Sequence, residues 1–330
     1  MKTPSDELYL LIKSLDTQEI VFFKTQNKRA TGELVYLKLF DAIRELKEYN
    51  ETALLHKLKK SGFTNNVTKA KKNLTEAILK ALSEFHLGVS INSQLQNLIS
   101  RAELLCAKRL HKMANKLLIK AENLALKYER YHYVLLASTL RLDIIRQTEN
   151  VKELKKYFKG EFLDRKHYYE GLLNNEDFLN LSLRHEYFFM MNGGNPSPPK
   201  MPKIPNSQLL ESTNKATTFF GLNNYYYIHF LKHYYEYHQN KSWSKESYLL
   251  QKEMIATIEN RFDDLKYVAT EYIGGLVRLM VTMTHPDLKE ELAAVFLKAT
   301  VFYENLPSKI KTKQVHYYFI ALISNYFSAQ

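Results

Sequence analysis

Three histidines and a glutamate share one short stretch, His229-x-x-x-His233-x-x-Glu236-x-His238. On a helix, His229, His233 and Glu236 fall on one stripe, and two histidines four residues apart can share a metal ion. A metalloprotease helix places glutamate directly after the first histidine, and here that position is Phe230. No second helix with matching carboxylates is evident. The stretch therefore reads as polar groups on a tyrosine-rich face, with no metal and no cofactor expected.

That face holds Tyr225, Tyr226, Tyr227, Phe230, Tyr234, Tyr235 and Tyr237. Tyrosine combines apolar area with a hydroxyl that seeks a partner, so such residues suit either an interhelical core or the wall of a binding groove. In the groove reading the partner contacts are Tyr226, Tyr227, Phe230, Lys232, His233, Tyr234, Glu236 and Tyr237. A second candidate lies in residues 51–72, where two predicted helices flank Ser61-Gly62-Phe63-Thr64. Lys69, Lys71 and Lys72 stand in early turns of the second helix, against its dipole, and a phosphate partner would account for them.

Catalytic patterns are absent: there is no P-loop, no dinucleotide glycine fingerprint and no nucleophile elbow. Asp263-Asp264 and Glu290-Glu291 sit at predicted helix starts, where capping explains them. His185, beside Glu186, reads as a hydrogen-bonded structural group. Cys106, the single cysteine, excludes an intrachain disulfide or cysteine cluster. The expectation is a protein that is not an enzyme.

The elements that must carry these residues are helices. Only 10 glycines and 8 prolines interrupt 330 residues, and apolar positions recur with helical spacing. Asp16 with Glu19 is a capping signature, and further starts are expected at Pro4, Thr31, Asn50 and near Asn65. Residues 1–88 thus read as a bundle of about five helices. Later helices are expected at about 131–148, 150–159, 162–173, 176–191, 207–220, 222–240, 245–260, 264–283, 286–304 and 310–329. Residues 193–205 hold five prolines and read as an extended hinge or surface crossing.

Net charge is +12. Lys and Arg minus Asp and Glu gives 15 − 11 for residues 1–90, 17 − 12 for 91–190 and 15 − 12 for 191–330. The excess looks thinly spread, whereas phosphate binding gathers it on one face. The start lacks the apolar core of a signal peptide, and nowhere do 18 apolar residues run together. A cytoplasmic protein without membrane contact is expected.

Small and large residues alternate as Leu98, Ala102, Leu105 and Ala114, Leu118, Ala121 on either side of Arg109-Leu110-His111. Each trio lies on one helix face, so the two helices fold back closely. This spacing resembles the tetratricopeptide repeat, a 34-residue helix-turn-helix unit. Gly274-Gly275 with Ala293-Ala294 suggests a second close crossing. The blocks at residues 6–15, 36–43 and 70–82 are similar to the start of an uncharacterised family of bacterial tetratricopeptide-like proteins.

The expected fold class is all-α. It comprises an N-terminal helical bundle (1–88), an irregular tetratricopeptide-like α-solenoid of antiparallel hairpins (89–192), a Pro-rich loop or hinge (193–206) and a second block of hairpins (207–330). The resemblance implies scaffolding: a protein or peptide segment held on the inner face of a curved array. From the residues themselves, binding is expected to rest on aromatic anchors, with lysines selecting an acidic or phosphorylated partner. The alternative is a nucleic-acid-associated regulator acting through residues 51–72.

Overall fold

The computed structural model describes residues 6–27, 33–60, 62–63, 66–159, 164–191, 208–240, 243–283 and 285–328. Among them are fifteen α-helices, five short 3-10 turns and no strand. The chain forms two compact units, Met1–Gly88 and Val89–Gln330. The expected Pro-rich hinge and the Thr31 helix start lie outside the described residues.

The first unit holds α1 (Glu7–Ser14), α2 (Thr17–Asn27), α3 (Glu33–Arg44), α4 (Glu51–Lys60) and α5 (Val67–Phe85). Their apolar stripes bury Ile12, Phe23, Phe40, Ile43, Leu54, Leu74 and Ile78 in one core. Local chemistry sets the helix starts. The Glu19 N–H donates to Asp16 Oδ1 and the Asp16 N–H to Glu19 Oε2, both at 2.8 Å, a reciprocal cap. Asn50 caps α4 through the Ala53 N–H. Asn66, one residue after the expected position, caps α5 through the Lys69 N–H at 3.0 Å. α5 packs on α2 and α3, while α4 packs on α3.

The second unit begins with α6 (Ile91–Ala107), α7 (His111–Lys127), α8 (Tyr131–Gln147) and α9 (Val151–Phe158). Their first residues, 91, 111, 131 and 151, stand 20 apart. One turn, used three times, enforces that spacing. Arg109, Glu129 and Glu149 all take left-handed backbone, with φ of 58°, 50° and 48°. After each, the next N–H reaches back to close the helix: Leu110 to Leu105 O, Arg130 to Ala125 O, and Asn150 to Ile145 O, at 2.8 to 3.0 Å. A helical pair therefore takes 131 − 91 = 40 residues, longer than the 34-residue tetratricopeptide unit. Ala102, Ala114, Leu118 and Ala121 are fully buried where α6 and α7 cross.

Residues 162–191 were expected to form two helices but give one, α10 (Arg165–Met191). The apparent break, Asn174-Asn175, instead grips the chain ahead of the next helix. Asn174 Nδ2 donates to Lys215 O at 2.9 Å and its Oδ1 accepts the Thr217 N–H at 3.0 Å. Asn175 Oδ1 accepts the Gly221 N–H at 3.1 Å. A helix expected over 207–220 is replaced by 3-10 turns at Gln208–Leu210 and Thr213–Lys215. These lead into α11 (Phe219–Asn240).

The remaining helices are α12 (Lys245–Arg261), α13 (Ala269–Thr282), α14 (Lys289–Asn305) and α15 (Lys313–Ser328), the last three each preceded by a 3-10 turn. α13 packs on α12, α14 and α15. The glycine pair was expected to meet Ala293-Ala294, but its near neighbours lie elsewhere. A Cβ on Gly275 would stand 2.8 Å from Ile255 of α12, and one on Gly274 would stand 3.3 Å from Tyr318 of α15. Ala294 is exposed.

Candidate functional site

α11 carries the tyrosine-rich stretch across the second unit, and its helical period divides that stretch into two faces. One face is core. Tyr226 and Tyr235 are fully buried, with the Tyr226 hydroxyl against Glu253 and Thr257 and its carbonyl accepting Gln251 Nε2 at 3.1 Å. Burial pushes the Tyr235 hydroxyl up to about 12.

The other face looks into a half-open cavity of about 760 Å³. α11 contributes Tyr227, Phe230, Leu231, His233, Tyr234, Tyr237 and His238. Facing them are Val277, Met280 and Val281 of α13, with Tyr317 and Tyr318 of α15. Trp243, Met283, His285 and Leu292 line it too, the Trp243 and His285 rings 4.8 Å apart, as does Glu186 of α10. The aromatic side chains are braced against one another. The Phe230 and Tyr234 rings stack with centroids 5.7 Å apart, His238 meets Tyr234 edge-on at 4.6 Å, and Trp243 Nε1 donates to Thr282 O at 2.8 Å. Apolar and aromatic side chains make up most of the wall, with Glu186, Lys289 and three histidines among its polar groups, and the volume lies in the range of ligand-sized clefts.

Five of the expected contacts, Tyr227, Phe230, His233, Tyr234 and Tyr237, therefore share one cavity. Three do not line it. Tyr226 belongs to the core, Lys232 is exposed, and Glu236 meets His233, whose Nδ1 lies 3.2 Å from Glu236 Oε2. His229 is turned away as well: its Nε2 donates to Leu210 O at 3.3 Å, and burial lowers its pKa. Among the described residues, no three His, Cys, Asp or Glu side chains are grouped to hold a metal.

Tyr227 joins the cavity to a second feature. Burial and the Glu186 carboxylate push its hydroxyl up, while the Arg278 guanidinium pulls it down. That guanidinium lies over the Tyr227 ring, 5.5 Å from its centroid. The sequence offered no signal for Arg278 beyond its place one turn after Gly274-Gly275.

In the first unit, Lys71 is engaged. Its Nζ lies 2.5 Å from Glu51 Oε2 and 3.0 Å from Tyr49 Oη. Burial acts to lower its pKa, but these contacts outweigh it and hold the ammonium above its usual range. Lys69 and Lys72 are exposed. The lysines thus do not form one free row, and α4 and α5 each rest on α3.

Charge is less even than broad bins suggest. Residues 91–159 carry 14 Lys and Arg against 6 Asp and Glu, a net +8 of the total +12. Among the described residues no helix is long and apolar enough to cross a membrane. Comparison of the chain with protein-family models, with curated proteins and with solved structures gives no match.

Proposed function

We propose that this chain is a non-catalytic interaction protein, a tetratricopeptide-like array of helical hairpins that holds a peptide or protein segment in the α11 cavity. The supporting observation is the cavity itself: aromatic side chains from α11 and α15, with Trp243 between α11 and α12, around about 760 Å³, the Phe230 and Tyr234 rings stacked on each other. Rigid aromatic anchors lose little conformational freedom on binding, which is why they dominate interface energetics. The test is a fluorescence screen of the purified protein against a peptide library. Peptides with aromatic or branched apolar residues should bind, and replacing Phe230 and Tyr234 together by alanine should weaken them by roughly 30-fold or more. Equal binding by that variant, or no binding peptide at all, sinks the reading.

A second reading is nucleic-acid contact, favoured by an exposed row on α7. Lys112, Lys116 and Lys120 stand four apart, roughly 6 Å per step, and none has an ion-pair partner among the described residues. Lysines occupy the middle of the exposed arc, with Met113 and Ile119 at its edges, which suits a row of anions better than an inserting membrane helix. Binding to a single-stranded oligonucleotide should fall steeply with salt, and each lysine changed to glutamate should reduce the slope by about 0.7. The same changes at Lys69 and Lys72 test the first-unit alternative. No binding at low salt removes both.

A further inference from the structure

α10 is apolar on two opposite sides. Phe178, Leu181 and His185 are buried on the side that packs on α8 and α11. At about 100° per residue, Tyr169, Leu173, Leu183, Tyr187 and Met191 fall within about 40° of one line on the far side. They are 51%, 66%, 48%, 66% and 67% exposed. A surface helix ordinarily turns polar residues outward, and one that is apolar all round is ordinarily buried all round. An exposed apolar stripe of this length marks a contact surface.

The order of these residues is the same from either end of the helix. Tyr169-x-x-x-Leu173 is answered by Leu183-x-x-x-Tyr187, and both matched pairs are centred on the level of Phe178. An isologous contact needs such self-complementarity, because a twofold axis sets each residue against its counterpart. With two α10 helices antiparallel and the axis level with Phe178, Tyr169 of one copy lies opposite Tyr187 of the other, and Leu173 opposite Leu183. Glu176 and Asn180, both exposed in the middle of the stripe, are centred on the same level. There a carboxylate of each copy faces the amide of the other.

Charge agrees with this register. Glu170 and Arg184 flank the same side of the stripe, and in an antiparallel pair like sides face each other, so Glu170 of each copy comes within about 3 Å, along the axis, of the level of Arg184 of the other. Arg184 is exposed and has no ion-pair partner among the described residues, and Glu170 has a loose contact with Lys166 at 3.5 Å. Asp177, also on that side, meets its own copy, so the net ionic gain is small and the apolar residues carry the contact. At about 200 Å² for a fully exposed large side chain, the five offer on the order of 600 Å² per copy. With the polar flanks, that reaches the roughly 800 Å² a standard interface takes from each partner.

We propose that the outer face of α10 seats a second copy of this chain, two α10 helices lying antiparallel across a twofold axis level with Phe178. None of the five residues lines the α11 cavity, so this proposal and the peptide reading stand or fall separately.

The experiment is sedimentation equilibrium of the full chain from about 1 to 100 µM. The wild type should show twice the mass of one chain. Leu173→Glu and Leu183→Glu should each raise the dimer dissociation constant about tenfold or more, with wild-type helical circular dichroism, since both side chains are exposed in the single chain. Glu170→Arg and Arg184→Glu should each weaken the dimer, and the two together should restore it. A chain that stays monomeric at the highest concentration overturns the proposal. So does a dimer indifferent to both glutamates, which places the contact elsewhere. If the glutamate variants fail to fold, the charge swap decides: a double variant no tighter than either single one overturns the register, and rescue upholds it.

Discussion

The carboxylate of Glu129 accepts the backbone N–H of Phe219 at 2.6 Å, ninety residues further along the chain. Phe219 opens α11, so a residue held in left-handed backbone at the α7–α8 turn caps the helix that carries the candidate site. Its other oxygen meets Arg261 at the end of α12. Replacing Glu129 by alanine strands a buried helix N-terminus and an arginine. The expected loss is about 2–4 kcal/mol in urea unfolding, with glutamine in between because it still accepts from Phe219.

The other two turns of the same kind predict the opposite sign. Arg109 and Glu149 hold positive φ without a comparable contact, and both are exposed. Glycine reaches this conformation without strain but loses more freedom on folding. Arg109→Gly and Glu149→Gly should each gain about 0.5–1 kcal/mol by thermal unfolding. Glu129→Gly should lose stability, since the cap is worth more than the relief.

Gly171 sits inside α10, where alanine would ordinarily add about 1 kcal/mol of helix propensity. A Cβ there would stand 2.6 and 2.9 Å from the Tyr131 ring, which is buried and edge-on to Tyr168. Gly171→Ala is expected to destabilise by about 1–2 kcal/mol. A gain in Tm would show that the α8–α10 contact is looser than these distances imply.

His229 links α11 to the 3-10 turn at Gln208–Leu210, and burial lowers its folded pKa. As pH falls below the unfolded value near 6.5, the unfolded chain takes up the proton first. Stability should therefore decline from about pH 6.5 downward until the folded pKa is passed, and His229 should contribute no slope above neutrality. His229→Gln, which keeps a donor for the Leu210 carbonyl, should flatten the difference between urea midpoints at pH 7.5 and pH 5.

Helix starts were legible because their signals are local. Asp16, Asn50 and Asn150 each cap the helix expected of them. Where side chains act at long range, the reading failed. Asn174 and Asn175 have the composition of a break, yet their amides bond to residues more than forty positions away and α10 runs through them. The division of α11 was half legible: periodicity separates Tyr226 from Tyr227, but only the packing of α12 decides which face is core. Arg278 was invisible, since Asn223, Gln251 and Tyr227 come from two other helices and no spacing in one chain announces them.

The grip of Glu129, Asn174 and Asn175 on residues 215–221 has a topological consequence. It fastens α11 to helices that precede residue 192, so the peptide link through residues 192–207 is one connection among several rather than the sole tether. Two separately expressed pieces, ending at 191 and beginning at 208, should therefore find each other and restore the second unit as a non-covalent heterodimer.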